Sequence, residues 1–339
     1  MRRNHKSLLT PLGLGSRAPD AMSNRKPKGV MRRMIAVMGI VIVTLLIGTS
    51  SLPSASSEDP ALSIPDTALD LDCPGGVDGS DHEPVLLVHG TGATGEENWG
   101  RNYSHFLAAL GYPVCIVDLP NRALGDMQVS AGHLILAVRR MAADSNKKVD
   151  IVGHSQGGLV GRWALRWSPQ TRSLVDDLVT LGSPHHGTGE PIFRTPALLQ
   201  MKRASMFLKA LNSVDETYGD ASYTSIWGYE EEENKSPDGK PSSYLDGASN
   251  LPVQEVCQGR RVGHLELVTD PAVMAMVLDA LSQPGPADKS RMGSAPCSAN
   301  YTLEIGLVEG TTFVLGLTTG VLFSPALKEP DLAPYAAQS

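Results

Sequence analysis

From residue 84 onward, short apolar runs alternate with longer stretches whose apolar residues recur every three or four positions. Pro84 to Val88, Val114 to Asp118 and Val149 to Val152 each read as strands buried on both faces, and Leu178 to Leu181 and Tyr223 to Trp227 as later strands. Between them, Tyr103 to Leu110 has a helical pattern that stops at Gly111. Met127 to Met141 repeats Leu134, Val138 and Met141, and Gly157 to Trp167 repeats Leu159, Val160, Trp163, Ala164 and Trp167. Pro196 to Leu211 reads as an amphipathic helix, either covering a site or lying plainly on the surface. Asp270 and Pro271 form an N-cap and first-turn pair that opens a helix over Ala272 to Leu281. Strand and helix alternating at these lengths predict an α/β fold, a mostly parallel sheet with helices on both faces.

The ends carry a different pattern. Met34 to Ile47 is an apolar run after Arg32-Arg33, followed by small residues over Gly48 to Ser57, the layout of a secretory signal. The run is shorter than a spanning helix needs, so cleavage is expected, with an uncleaved anchor as the alternative. Met31-Arg-Arg-Met would make a compact start for such a signal. Residues 1–57 are therefore assigned to an N-terminal extension and signal, and 58–339 to one folded domain. A second apolar stretch, Leu303 to Phe323, carries Glu304 and Glu309 in its first half, which argues against a membrane span.

Charge sharpens the compartment and the partners. Residues 1–57 hold nine of the 29 Lys/Arg and one of the 36 acids, leaving a formal charge of −15 over 58–339. A surface that acidic excludes nucleic acid as a partner and disfavours charge-driven binding to anionic lipid. Cys73, Cys115, Cys257 and Cys297 all lie in the exported part, an even number that predicts two disulfides with three connectivities open.

The candidate chemistry centres on Gly153-His-Ser-Gln-Gly157, at the junction of a strand and a helix. A hydroxyl attacks a carbonyl only when it is exposed, held in a tight turn and given a base, and the flanking glycines permit that turn. Ser155 is the candidate nucleophile. Upstream, His89-Gly-Thr-Gly-Ala-Thr-Gly95 follows a strand and offers free backbone N–H groups. It lacks the Gly-Lys-Ser/Thr ending of a phosphate cradle. Thr91 and Gln156 are the expected pair of oxyanion donors. In a triad of this chain order the acid follows a strand and the histidine comes last. The acidic run Glu230 to Glu233 follows the Tyr223 strand, and His264 precedes the closing helix, so Glu231, with Glu232 as the alternative, and His264 complete the set. His154 neighbours the serine and is expected to point elsewhere. His185 and His186 lack ligands at metal spacing and are expected to pack or face water, so neither metal nor cofactor is predicted.

Together these residues resemble the α/β-hydrolase superfamily, and within it the lipases of the Candida antarctica lipase B type and their bacterial lipase and esterase relatives. The resemblance spans most of residues 70–336. It rests on Leu-Leu-Val-His-Gly-Thr-Gly-Ala-Thr-Gly (86–95), Leu-Gly-Tyr-Pro-Val-Cys (110–115), Gln128-Val129, Ser-Gln-Gly-Gly-Leu-Val (155–160), Val-Gln-Glu-Val-Cys (253–257) and Glu-Pro-Asp-Leu-Ala-Pro-Tyr-Ala (329–336). It implies the roles just given for Ser155, His264, Thr91 and Gln156. It also implies disulfides Cys73–Cys115 and Cys257–Cys297, and makes Leu303 to Phe323 an element of the pocket wall. Two positions depart from the family: Glu stands where Asp is usual for the triad acid, and His89 stands where lipase B has proline.

The resulting expectation is a secreted serine hydrolase acting on carboxylic esters of lipids or small acyl compounds through an acyl-enzyme, with contact to a lipid interface. Acyl transfer by the same residues, and a silent hydrolase scaffold that only binds, are the rivals.

Overall fold

The structure, a computed structural model, describes residues 58–229, 235–236, 238–298 and 307–337. Seven strands form one sheet: β1 (Leu71–Asp72), β2 (Val85–Val88), β3 (Val114–Val117), β4 (Val149–His154), β5 (Val175–Leu181), β6 (Ser222–Trp227) and β7 (Ser249–Pro252). Their order is β1-β3-β2-β4-β5-β6-β7, parallel throughout except for the edge pair β1–β3. The apolar runs are continuous because each central strand is buried on both faces. Leu86, Val88 and Ile151 point into one core with Leu159 and Trp163, while Val85, Leu87 and Val152 point into the other with Trp99 and Tyr103.

The helices are α1 (Gly95–Trp99), α2 (Tyr103–Ala109), α3 (Met127–Ser145), α4 (Gln156–Trp167), α5 (Pro169–Arg172), α6 (Pro196–Gln200), α7 (Met206–Leu211), α8 (Val253–Val256), α9 (Pro271–Ser282) and α10 (Leu307–Phe323). Helix α3 outruns its apolar repeat by a turn and ends on Asn146 in the left-handed conformation, a common helix stop. Asp270 caps α9 as expected, accepting from the N–H groups of Ala272 and Val273.

The single helix expected over Pro196 to Leu211 is instead two. Between α6 and α7, Ala204 has φ 63°, Lys202 bridges to Thr188, and Ser205 restarts the helix by accepting from Leu208 N–H. The apolar spacing survives the break because both pieces bury the same side, including Leu199, Phe207 and Leu211. Strands β1 and β7 escaped the sequence pattern: one has two residues, and the other, Ser-Asn-Leu-Pro, shows no alternation.

Both implied disulfides are present. Cys73–Cys115 fastens the edge strand β1 to β3, and Cys257–Cys297 ties the segment after α8 to the chain beyond α9. The C-terminal motif docks by its polar groups. Glu329 accepts from the N–H groups of Met206 and Phe207, Gln128 both accepts from Ala333 N–H and donates to the Asp331 carbonyl, and Trp163 Nε1 donates to the Tyr335 hydroxyl.

Helix α10 packs through its glycines. A Cβ on Gly316 would strike the Arg122 guanidinium and one on Gly320 would strike Leu124. Its Val314, Leu315, Leu322 and Phe323 are exposed. Among the described residues no helix is long and apolar enough to cross a membrane.

Candidate active site

The chain leaves β2, builds β3 on one side of it, then crosses to place β4 on the other. Such a reversal opens a crevice at the carboxyl ends of the two strands. Ser155, Gln156, Thr91 and His264 lie there.

At the end of β4, Ser155 has φ 54° and ψ −120°, and Gln156 opens α4. A non-glycine residue held at positive φ costs about 1–3 kcal/mol and persists only where its surroundings enforce it. Here the enforcement is visible. Ser155 N–H donates to the Leu181 carbonyl at 2.8 Å, fixing the turn to β5. A Cβ on Gly153 would lie 2.6 Å from Gly158 N, and one on Gly157 would overlap the Val88 carbonyl. Both glycines are therefore demanded by close backbone approach. The first turn of α4 carries the positive end of its dipole, which favours negative charge beside Ser155.

The loop after β2 crosses in front of this turn. His89 is buried; its Nε2 accepts from Leu119 N–H at 2.8 Å, so Nδ1 carries the proton and donates to the Gly90 carbonyl at 2.9 Å. His89 thus braces the loop against the end of β3. Gly90 approaches closely enough that a Cβ there would sit 3.1 Å from Ser155 Cβ. The Thr91 hydroxyl donates to Gln156 Oε1 at 2.6 Å, bringing the two expected oxyanion donors together. Arg122 Nε donates to the Gly92 carbonyl and its guanidinium pairs with Glu97 on α1, so the far end of the loop is also held.

His264 begins a 3₁₀ turn, His264–Val268, in which Glu266 accepts from Gly263 N–H. His264, Ser155 and Thr91 line one cavity of about 360 Å³, with Leu198, Met201 and Phe313 of α10 among its apolar walls. Glu231 and Glu232 lie outside the described residues.

Two side chains at the site were not expected to matter. His154 is buried, with Nε2 3.1 Å from the His264 carbonyl oxygen and Nδ1 3.0 Å from Asn98 Oδ1. Burial, reinforced by the neighbouring His264, pushes its pKa down to about 3. Asn98 also accepts from Gly90 N–H at 3.1 Å. Nothing in Gly-Glu-Glu-Asn-Trp marks Asn98, since its partners are 8 and 56 residues away.

His185 is fully buried, its Nε2 3.1 Å from Thr180 Oγ1, and burial next to Arg162 holds its pKa well below the ordinary value. His186 meets Glu216 at 2.8 Å. Among the described residues, the acidic or histidine group with metal-like spacing is Asp150, Asp176 and Asp177, near the opposite ends of β4 and β5 from Ser155. Burial and the neighbouring carboxylates raise Asp150 well above the usual range and Asp177 to about 8.

A family model described as palmitoyl protein thioesterase matches residues 84–229, from β2 to just past β6. Lipase B of Pseudozyma antarctica is 30% identical over 329 residues, covering 90% of this chain and 95% of that protein. A triacylglycerol lipase of Pseudarthrobacter phenanthrenivorans is 34% identical over 112 residues, 31% of this chain and 34% of its own. Among solved structures, Aspergillus fumigatus lipase B superposes with a TM-score of 0.74 at 25% identity, covering 86% of this chain and 76% of that one.

Proposed function

The chain belongs to the lipase B family of α/β-hydrolases, and from that premise we propose that it is a secreted serine hydrolase cleaving carboxylic esters of lipids through an acyl-enzyme. The observation that carries the proposal is the strained Ser155 sharing one cavity with His264 and the Thr91 loop. In the mechanism, Ser155 Oγ attacks the ester carbonyl while His264 takes its proton. The tetrahedral oxyanion is held by the N–H groups of Thr91 and Gln156, the second at the positive end of α4. Collapse expels the alcohol, which receives the proton from His264. Water, activated by the same imidazole, then releases the acid and restores Ser155. Glu231, with Glu232 as the alternative, orients His264.

The acyl or alcohol part of the substrate would rest on Leu198, Met201 and Phe313, an apolar wall suited to hydrocarbon. Exposed Val314, Leu315, Leu322 and Phe323 on α10, the helix that carries Phe313, support contact with a lipid interface. The two disulfides support an oxidising, extracytoplasmic destination. The thioesterase family match favours thioesters as a second substrate class for the same Ser155 chemistry.

Turnover of p-nitrophenyl esters and of a matched acyl thioester, with Ser155 labelling by a fluorophosphonate, tests this reading. Ser155→Ala is expected to abolish both turnover and labelling without unfolding the protein. Wild-type activity in that variant would refute the assignment. Glu231→Gln and Glu232→Gln, made separately, identify the acid by which one collapses kcat. Added alcohol that diverts product into a new ester identifies acyl transfer.

A further inference from the structure

We propose that His154 is a positioning residue that ties the His264 backbone to the turn carrying Ser155 through one buried hydrogen-bonded brace. The inference rests on the serine-hydrolase reading above and adds a residue to it.

The geometry is specific. His154 immediately precedes Ser155, so its Cα is fixed by the same turn that presents the hydroxyl. Its ring reaches the His264 carbonyl at 3.1 Å and lies 5.0 Å, centroid to centroid, from the His264 ring. The opposite ring nitrogen meets Asn98 at 3.0 Å, and Asn98 holds Gly90 N–H at 3.1 Å, one residue before Thr91. Trp99 closes the brace with its ring edge-on to His154 at 6.2 Å. The base and the nucleophile turn therefore meet on one side chain, His154, 4% exposed, with Asn98, 7% exposed, packed against it.

The proton placement follows from the partners. A carbonyl only accepts, so Nε2 carries the hydrogen that goes to His264. A neutral ring then offers a lone pair at Nδ1. In the present orientation Asn98 Oδ1 faces both that lone pair and Gly90 N–H, while its buried Nδ2 has no partner. A half-turn of the amide gives Nδ1 a donor but takes the acceptor from Gly90. Asn98 thus hydrogen-bonds either the His154 ring or the oxyanion loop, and the bond that acts on the base is the one donated by His154 Nε2. A base begins to fail when it is about 1 Å out of place, a displacement that costs on the order of a hundredfold in rate.

The test is steady-state kinetics on a p-nitrophenyl ester for His154→Phe, His154→Gln and His154→Ala, with thermal unfolding as the folding control. Phe keeps the ring but removes both nitrogens; Gln keeps an N–H able to reach a carbonyl. The expected result is a folded His154→Phe with KM within about twofold and kcat lowered at least tenfold, and a Gln variant that recovers most of the loss. A loss of packing alone would not be rescued by Gln, which is the more polar replacement. A folded His154→Phe with kcat within twofold of wild type, or a Gln variant no better than Phe, overturns the proposal. If the Phe variant does not fold, His154→Gln and His154→Ala decide: the brace predicts near-wild-type kcat in the first and at least a tenfold loss in the second. Equal kcat in those two overturns it. Fluorophosphonate labelling of wild-type Ser155 separates the failures, since absent labelling removes the serine mechanism and the brace together, whereas normal labelling with an unaffected His154→Phe removes only the brace.

Discussion

Substituting Gly153 by alanine isolates what the elbow requires of the backbone. The added Cβ would stand 2.6 Å from Gly158 N, 2.7 Å from Gly157 C and 2.9 Å from Gly157 O. Ordinary contact between such atoms is about 3.5 Å, so β4 and the first turn of α4 must separate by roughly 0.9 Å. All three obstacles are main chain and cannot swing aside as a side-chain tip would. Overpacking of a core costs about 1–3 kcal/mol when side chains can yield, so a cost near 3 kcal/mol or above is expected here. At a urea slope of about 3 kcal/mol per M the midpoint falls by roughly 1 M. Because the same displacement moves Ser155, fluorophosphonate labelling should slow by about a hundredfold in protein that remains folded. Gly161→Ala is the matched control. Its Cβ would meet the Leu178 side chain at 2.9 Å, which can shift, and the helix gains up to about 1 kcal/mol in propensity. Should Gly153→Ala unfold and label like Gly161→Ala, the reasoning from backbone approach is wrong.

Further expectations follow from other parts of the structure. Replacing Cys73 and Cys115 by serine frees a loop of 42 residues and should cost about 4 kcal/mol in the chain-entropy treatment, read as a lowered unfolding midpoint relative to the oxidised protein. Asp177, with its pKa raised to about 8, keeps a proton that the unfolded chain has lost above about pH 4, so its contribution makes stability decline between about pH 4 and 8. Asp177→Asn should flatten that decline, by at most about 1.4 kcal/mol per pH unit, in urea titrations at pH 5 and 8; an unchanged slope would count against the buried-carboxyl account. Leu322→Ser with Phe323→Ser should lower turnover of emulsified ester several-fold while leaving a soluble short-chain ester unaffected. Equal effects on both substrates would remove α10 from interfacial contact.

The strand and helix alternation was legible because a parallel sheet buried on both faces forces continuous apolar runs, as in Val85–Val88 and Val114–Val117, and its crossover helices force a 3.6-residue repeat. Edge strands carry no such obligation. Leu71–Asp72 and Ser249–Pro252 pair on one side only and left no pattern to read. The break at Ala204 was hidden for a related reason: periodicity reports which side is buried, and α6 and α7 bury a common side across a non-helical gap.

The candidate site divides in the same way. The glycines around Ser155, the loop after β2 and the placement of His264 before a capped helix are local facts, set by what a tight turn and an N-cap require of residue type. From sequence alone they determined the fold class, the family and the residues to test. Which distant groups meet was beyond any local pattern. Asn98 reaching both Gly90 and His154, His154 reaching the His264 carbonyl, and Glu329 capping α7 are contacts between segments up to 123 residues apart. Hydrogen bonds of that kind depend on how the sheet twists and the loops close over its carboxyl edge. Only the folded chain decides them, because a polar side chain has no sequence signature until its buried partner is in place.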